Sequence, residues 1–574
     1  MKRKSWRAAA PALWCLVVGI WMLAATSPAR CATTASAVLT AMEAELNRTM
    51  TVLNAQPQPP YFLSYMITEI DKTDVTAEFG ALTKNESDRD RLLRVDLRVG
   101  DYALDNSHEI RGDAMSGMLD RFSYVKMPLE DDADAMRGVL WFQSDRAYKR
   151  ALQKLATVKT QVQVKVAEED RSPDFSRDEA VSSVEEIPSF AIDRAAWAAK
   201  LRRYTEPFTK YGEIYRAEAN LTAVREVRWF ASSEGARIQT AHISCKLAIS
   251  AATKAEDGME LPLIESFFSF TAEGMPDDAT VLARVDEMIR NLLALRTAPV
   301  VDPYTGPAIL SGRASSVFFH EIFGHRVEGH RQRSEDEGQT FRKMVGKEVL
   351  PVSFSVIFDP TITRLAGTDL AGSYRFDDEG VRSRPVTVVE KGILRNFLMS
   401  RKPIEGFPVS NGHGRCQAGL VPVSRQSNLI VQVDRPVTNA ALKKMLIERI
   451  KRDSKAYGLF FDDIVGGFTM TGRTIPNAFN VVPTLVYRIF PDGREELVRG
   501  VDLIGTPLTA FSRIAAGDDE IAVFNGTCGA ESGGVPTSCI SPAILVDQIE
   551  VQKKEKSQER LPLLPAPERG TPGR

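Results

Sequence analysis

The run SSVFFHEIFGHRVEGH sets His320, Glu321 and His325 in the order His-Glu-x-x-x-His, one residue longer than the His-Glu-x-x-His arrangement of zinc hydrolases. In the shorter form, two histidines four apart share one face of an α-helix, hold Zn²⁺ and leave the Glu free to polarise a water. At about 100° per residue, a straight helix sets residues five apart roughly 140° round its axis, too far to share a metal. A metal site here therefore requires a local departure from regular α-helix. A single π-turn over Ile322 to Gly324 would bring both imidazoles to one side, and Gly324 sits where that widening is easiest. Phe318, Phe319, Ile322 and Phe323 are expected to dock the helix on a sheet, with Ser315 or Ser316 capping its start.

A hydrolytic zinc needs three protein ligands and an open fourth position. Two are visible in the motif. The third is open among His330, five residues on, and the distant His413, Cys416, Cys528 and Cys539. Cys528 lies in FNGTCGAESGGVP, read as a Gly-rich loop between strands that could carry a thiolate close to a metal. Glu321, beside a ligand, is the expected general base. His413 and Arg415 could stabilise an oxyanion or simply hydrogen-bond within their loop. The acidic run Asp377-Asp378-Glu379 reads as a solvated turn whose carboxylates cap backbone amides. His242 is expected to be packed on a strand and His108 to lie at the surface. Cys416 and Cys539 are read as buried small residues or a disulfide.

The chain has 574 residues, 43% of them hydrophobic, which suits two or three domains with full cores. A net charge of −2, with no basic stripe interleaved with aromatics, argues against nucleic acid as a partner. MKRKSWR, the apolar run Ala8 to Ala25 and the small residues Ser27-Pro28-Ala29 read as a secretory signal over residues 1–30, with an uncleaved membrane anchor as the rival. Six cysteines are too few for a disulfide framework.

Residues 31–300 alternate helical and strand patterns. Thr34 to Thr51 and Asp145 to Ala156 read as helices, Val162, Val164 and Val166 as a strand, and VREVRWFASSEGARIQTAHISCKLAIS as a hairpin turning at Ser233-Glu234-Gly235. A helix from Ala279 to Leu295 is expected to bury Val281, Val285, Met288, Ile289 and Leu292. RTAPVVDPYTGPAIL, rich in Pro and Gly, marks the boundary. Residues 301–552 then show one helix, carrying the motif, followed mostly by strands with Gly-rich turns, as a barrel-like sheet needs. Residues 553–574 are charged and Pro-rich and are expected to be disordered.

HEIFGHRVEG, FDDEG at Phe376 to Gly380, NGHGR at Asn411 to Arg415 and GTCGAESGGVP occur in the order and spacing of one family: from about residue 300 to 551 the chain resembles the TldD/PmbA metallopeptidases. The resemblance implies an α+β chain of two domains, an N-terminal α/β domain and a C-terminal domain built on a strongly curved β-sheet. It implies zinc held by His320, His325 and Cys528, with Glu321 as base, and gives no support to His330. It also implies a dimer, with an identical or a paralogous chain, enclosing a cavity that admits small or unfolded peptides. The expectation is an exported zinc peptidase; the alternative is a non-catalytic or regulatory metal-binding subunit of a heterodimeric protease assembly.

Overall fold

The computed structural model describes residues 36–109, 124–164, 170–334, 336–469, 471–472, 479–505, 507–554 and 564. The signal segment and nearly all of the charged tail lie outside these residues. Among the described residues, no helix is long and apolar enough to cross a membrane.

The N-terminal part is built on a seven-stranded sheet. Pro60–Glu78 and Ala81–Val99 form one long hairpin, turning at Phe79 and Gly80, which both take positive φ. Ile214–Ser232 and Arg237–Lys254 form a second, turning at the expected Ser233-Glu234-Gly235. Because successive side chains on a strand face opposite ways, each strand separates two environments. Leu221, Ala223, Val227, Trp229, Cys245, Leu247 and Ile249 are all buried at odd-numbered positions. They pack under helices Ala37–Leu53, Ala133–Val164, Arg194–Thr205 and Asp278–Thr297. The last of these buries the five residues expected of it. Even-numbered residues, among them Thr240, His242, Ser244 and Lys246, face a cavity on the side without helices. His242 is therefore exposed to that cavity, contrary to the packed position expected of it. Val162 and Val164 do not begin a strand: they continue the helix Ala133–Val164, and Val166 lies outside the described residues.

The C-terminal sheet has eleven strands. Five of them, Tyr304–Leu310, Gly458–Thr469, Phe479–Ile489, Val501–Gly505 and Gly533–Lys553, pair in a closed ring, so the sheet curls into a barrel. The α+β class and barrel-like C-terminal sheet are as expected. Tyr304–Leu310, read from its Pro and Gly content as part of a linker, is instead a central strand buried on both faces. Ala308 and Leu310 meet the motif helix Gly312–Ile322, while Ile309 meets Leu442, Leu446 and Ile450 of the helix Asn439–Arg452. The motif helix starts earlier than expected. Ser311 is its N-cap, accepting from the Ala314 amide at 3.1 Å, and Ser315 lies inside it, bonded to Ser541 at 2.7 Å. Val317, Phe318, Phe319, Ile322 and Phe323 are all buried in the barrel core. At about 1.5–3 kcal/mol for each such side chain, this face anchors the helix firmly.

Candidate metal centre

The extra residue between the histidines is absorbed by ending the helix, not by widening it. The α-helix stops at Ile322, Phe323 turns the chain at φ −104° and ψ −52°, and Gly324–Val327 form a 3₁₀ turn. The expected π-turn is absent because another device satisfies the helix end. The buried Arg326 guanidinium donates to the carbonyls of Glu321 (3.2 Å) and Ile322 (3.0 Å), groups a continuing helix would have used. With the helical path broken, the rings of His320 and His325 come to 5.2 Å between centroids. Gly324 has a different task from the one expected. An added Cβ there would overlap the side-chain amide of Gln426, which donates to the His320 carbonyl at 3.3 Å.

Cys528 meets them from a hairpin about two hundred residues further along the chain. Its segment is not a loop. Ile514–Ala530 and Gly533–Lys553 form a β-hairpin in which Cys528 lies opposite Val535. The Cys528 Sγ is 3.4 Å from Nε2 of His325, and one ligand atom from each of His320, His325 and Cys528 lies within 4.8 Å of the others. Tetrahedral zinc, with Zn–N near 2.0–2.1 Å and Zn–S near 2.3 Å, separates such atoms by roughly 3.5 Å, so the donor set fits zinc. Burial alone would raise the Cys528 thiol, but the charges of His325 and His320 and their hydrogen bonds outweigh it and hold the thiol well below its ordinary value. The thiolate in turn raises both imidazoles against their own burial. A thiolate and two imidazoles drawn together in this way are a donor set of the kind zinc takes.

Glu321 lies beside the cluster without joining it, its Oε2 4.0 Å from Nε2 of His325. A second carboxylate, absent from the sequence reading, orients that histidine. Glu328 is fully buried and its Oε2 lies 3.3 Å from Nδ1 of His325. Desolvation would raise this carboxyl, but His325, Arg331 and Arg425 together hold it down to about 2. Arg331 donates to it at 2.8 Å, and Arg425, 3.5 Å away, donates onward to the Cys528 carbonyl at 2.6 Å. One buried Glu–Arg pair thus joins the histidine and cysteine sides of the centre. The spacing was the available signal, since residues three apart on a helical turn are neighbours.

The other candidates fall elsewhere. His330 pairs with Glu531. His413 is buried between Asn411 and Ser427, and desolvation lowers it to about 3, leaving a neutral hydrogen-bonder within its loop. Arg415 is buried, donating to the Gln426 carbonyl and lying over the Tyr374 ring. Cys416 and Cys539 are free, buried thiols, not a disulfide, and burial pushes Cys416 up to about 12. The acidic run caps amides as expected, Asp377 accepting from Glu379, Val381 and Gly414. It is not solvated, however: Asp377 and Asp378 are buried, and Asp378 is paired with Arg228 at 2.7 Å across the two sheets. His108 is not a free surface residue but is held by Asp174 at 2.8 Å.

Residues 303–553 match the family described as the PmbA/TldA metallopeptidase C-terminal domain. A protein named metalloprotease from Archaeoglobus fulgidus is 30% identical over 238 residues, 41% of this chain and 51% of that one. A zinc metalloprotease TldD homolog from Saccharolobus solfataricus is 26% identical over 274 residues, 47% of this chain and 56% of that one. The chain thus spans about half the length of these curated relatives. The crystal structure of TldE from Thermococcus kodakarensis superposes with a TM-score of 0.58 at 12% identity, over 89% of this chain and 100% of that one, a likeness of fold. Residues 303–553, which hold the barrel, the broken motif helix and the hairpin, form a C-terminal domain of the TldD/PmbA metallopeptidase kind.

Proposed function

We propose that the chain is a zinc-dependent peptidase that hydrolyses small or unfolded peptides. The observation that carries this reading is the meeting of His320, His325 and Cys528 with Glu321 alongside. Three donors leave a fourth position for chemistry, where structural zinc sites usually close with four protein ligands. Bound there, zinc would polarise the scissile carbonyl and lower the pKa of water towards ~7. The chain's own residues supply the rest. Glu328 fixes the ring of His325 through Nδ1, so that Nε2 points at the centre. Glu321 accepts a proton from the attacking water on a carboxylate oxygen and delivers it to the leaving amine. The names of relatives, metalloprotease and zinc metalloprotease, support the class.

Removing zinc with a chelator should abolish cleavage of an unstructured peptide, and adding zinc back should restore it. A zinc-loaded protein that cleaves no peptide would instead favour the regulatory, metal-binding subunit.

We further place the protein outside the cytoplasm, as a dimer with itself or a paralogous chain. The N-terminal sequence supports the first and the family resemblance the second. Sequencing the N-terminus of the exported protein should find a start near Arg30; a cytoplasmic protein retaining Met1 would contradict export. Light scattering of the purified chain, alone and with a paralogue, separates the two dimers, and a monomer under both conditions would contradict either.

A further inference from the structure

A cavity of about 1250 Å³ lies on the helix-free face of the N-terminal sheet. Its far wall includes Val523 to Thr527, the strand segment that ends one residue before Cys528. Three carboxylates line it, and all are engaged. Glu185 is held by Arg375, Glu265 faces Arg313 at 3.7 Å, and Asp369 accepts from the Ser269 hydroxyl at 2.9 Å and the Phe270 amide at 3.2 Å. Two cations on different walls remain without a carboxylate among the described residues. Lys246 projects from the N-terminal sheet, and Arg382 lies over the Phe376 ring at 5.3 Å. Both are exposed to the cavity. Among the described residues, an anionic ligand entering this space meets two uncommitted positive charges, while a cationic one finds no free carboxylate.

We propose that this cavity selects acidic segments of the peptide substrate, with Lys246 and Arg382 receiving their carboxylates. The proposal deepens the peptidase reading and rests on it for the identity of the ligand as a peptide. At exposed positions each charge pair is worth up to about fivefold in affinity, and the preference weakens as salt screens it.

The test is fluorescence anisotropy on the zinc-loaded Glu321→Gln protein with three labelled peptides of equal length, acidic, neutral and basic. The acidic peptide should bind about fivefold or more tighter than the neutral one, with the basic peptide weakest and the contrast shrinking in high salt. The double variant Lys246→Glu with Arg382→Glu, melting as the parent does, should reverse the order. Equal binding of the three peptides, or an acidic preference that survives the double reversal, would overturn the proposal. Binding is read without turnover. If the wild-type protein cleaves none of the three peptides, the peptidase reading falls, while the order of binding still decides for or against an acidic preference.

Discussion

Replacing Glu321 by Gln should leave zinc bound and the fold intact, while lowering kcat for peptide cleavage by about 10²–10⁴-fold, the usual contribution of a positioned general base. The geometry separates these effects. Glu321 belongs to a helix anchored by five buried apolar side chains, none of which the substitution touches. Its carboxylate stands 4.0 Å from Nε2 of His325 and lies outside the cluster of three donors. Gln keeps the volume and can still accept a hydrogen bond, but it cannot take a proton at neutral pH. Zinc content, melting temperature and kcat measured on one preparation check all three claims, and cleavage at the parent rate with zinc in place would remove Glu321 as the base.

The second large effect is on stability. Glu328→Ala should destabilise the fold by about 3–5 kcal/mol, because it strands Arg425 as a buried charge whose carboxylate has gone, while Arg331 loses one of three and keeps Glu337 and Glu531. It should also weaken zinc binding by about 10–100-fold, since His325 loses the group that fixes its ring. Glu328→Gln tells the two contributions apart. It keeps an oxygen for one hydrogen bond and fills the space, so it should fold better than the Ala variant while still binding zinc more weakly than the parent. Chelator-competition titrations and denaturant melts on both variants measure this. A Glu328→Ala protein as stable as the parent would show that the buried ion pairs contribute nothing.

Much of the centre was legible in the sequence because spacing on a helix has geometric consequences. Residues five apart had to be reconciled by a break in regular structure, and such a break is there. Its form was not legible. Whether a helix widens or ends depends on what satisfies its last carbonyls, and here the side chain of Arg326, three residues past the turn at Phe323, folds back to do so. Cys528 was misplaced in a loop for a related reason. Glycines usually weaken strands, yet here Gly529 pairs across the hairpin with Gly534 and Ala530 with Gly533, where small residues bring two backbones together. Tyr304–Leu310 was hidden in the same way by its Pro and Gly, although its apolar end, Ala308 to Leu310, carries the pattern of a strand buried on both faces. Glu328 and Arg425 stand 97 residues apart in sequence, and only folding brings them together.

Two histidines of a broken helix and one thiol of a distant hairpin are expected to hold a single zinc. Metal analysis of the purified protein beside its Cys528→Ser and His330→Ala variants tests this most directly. One zinc per chain is expected in the parent and in His330→Ala, and a large loss of zinc in Cys528→Ser. Full zinc occupancy in Cys528→Ser, or its loss in a folded His330→Ala protein, would contradict it.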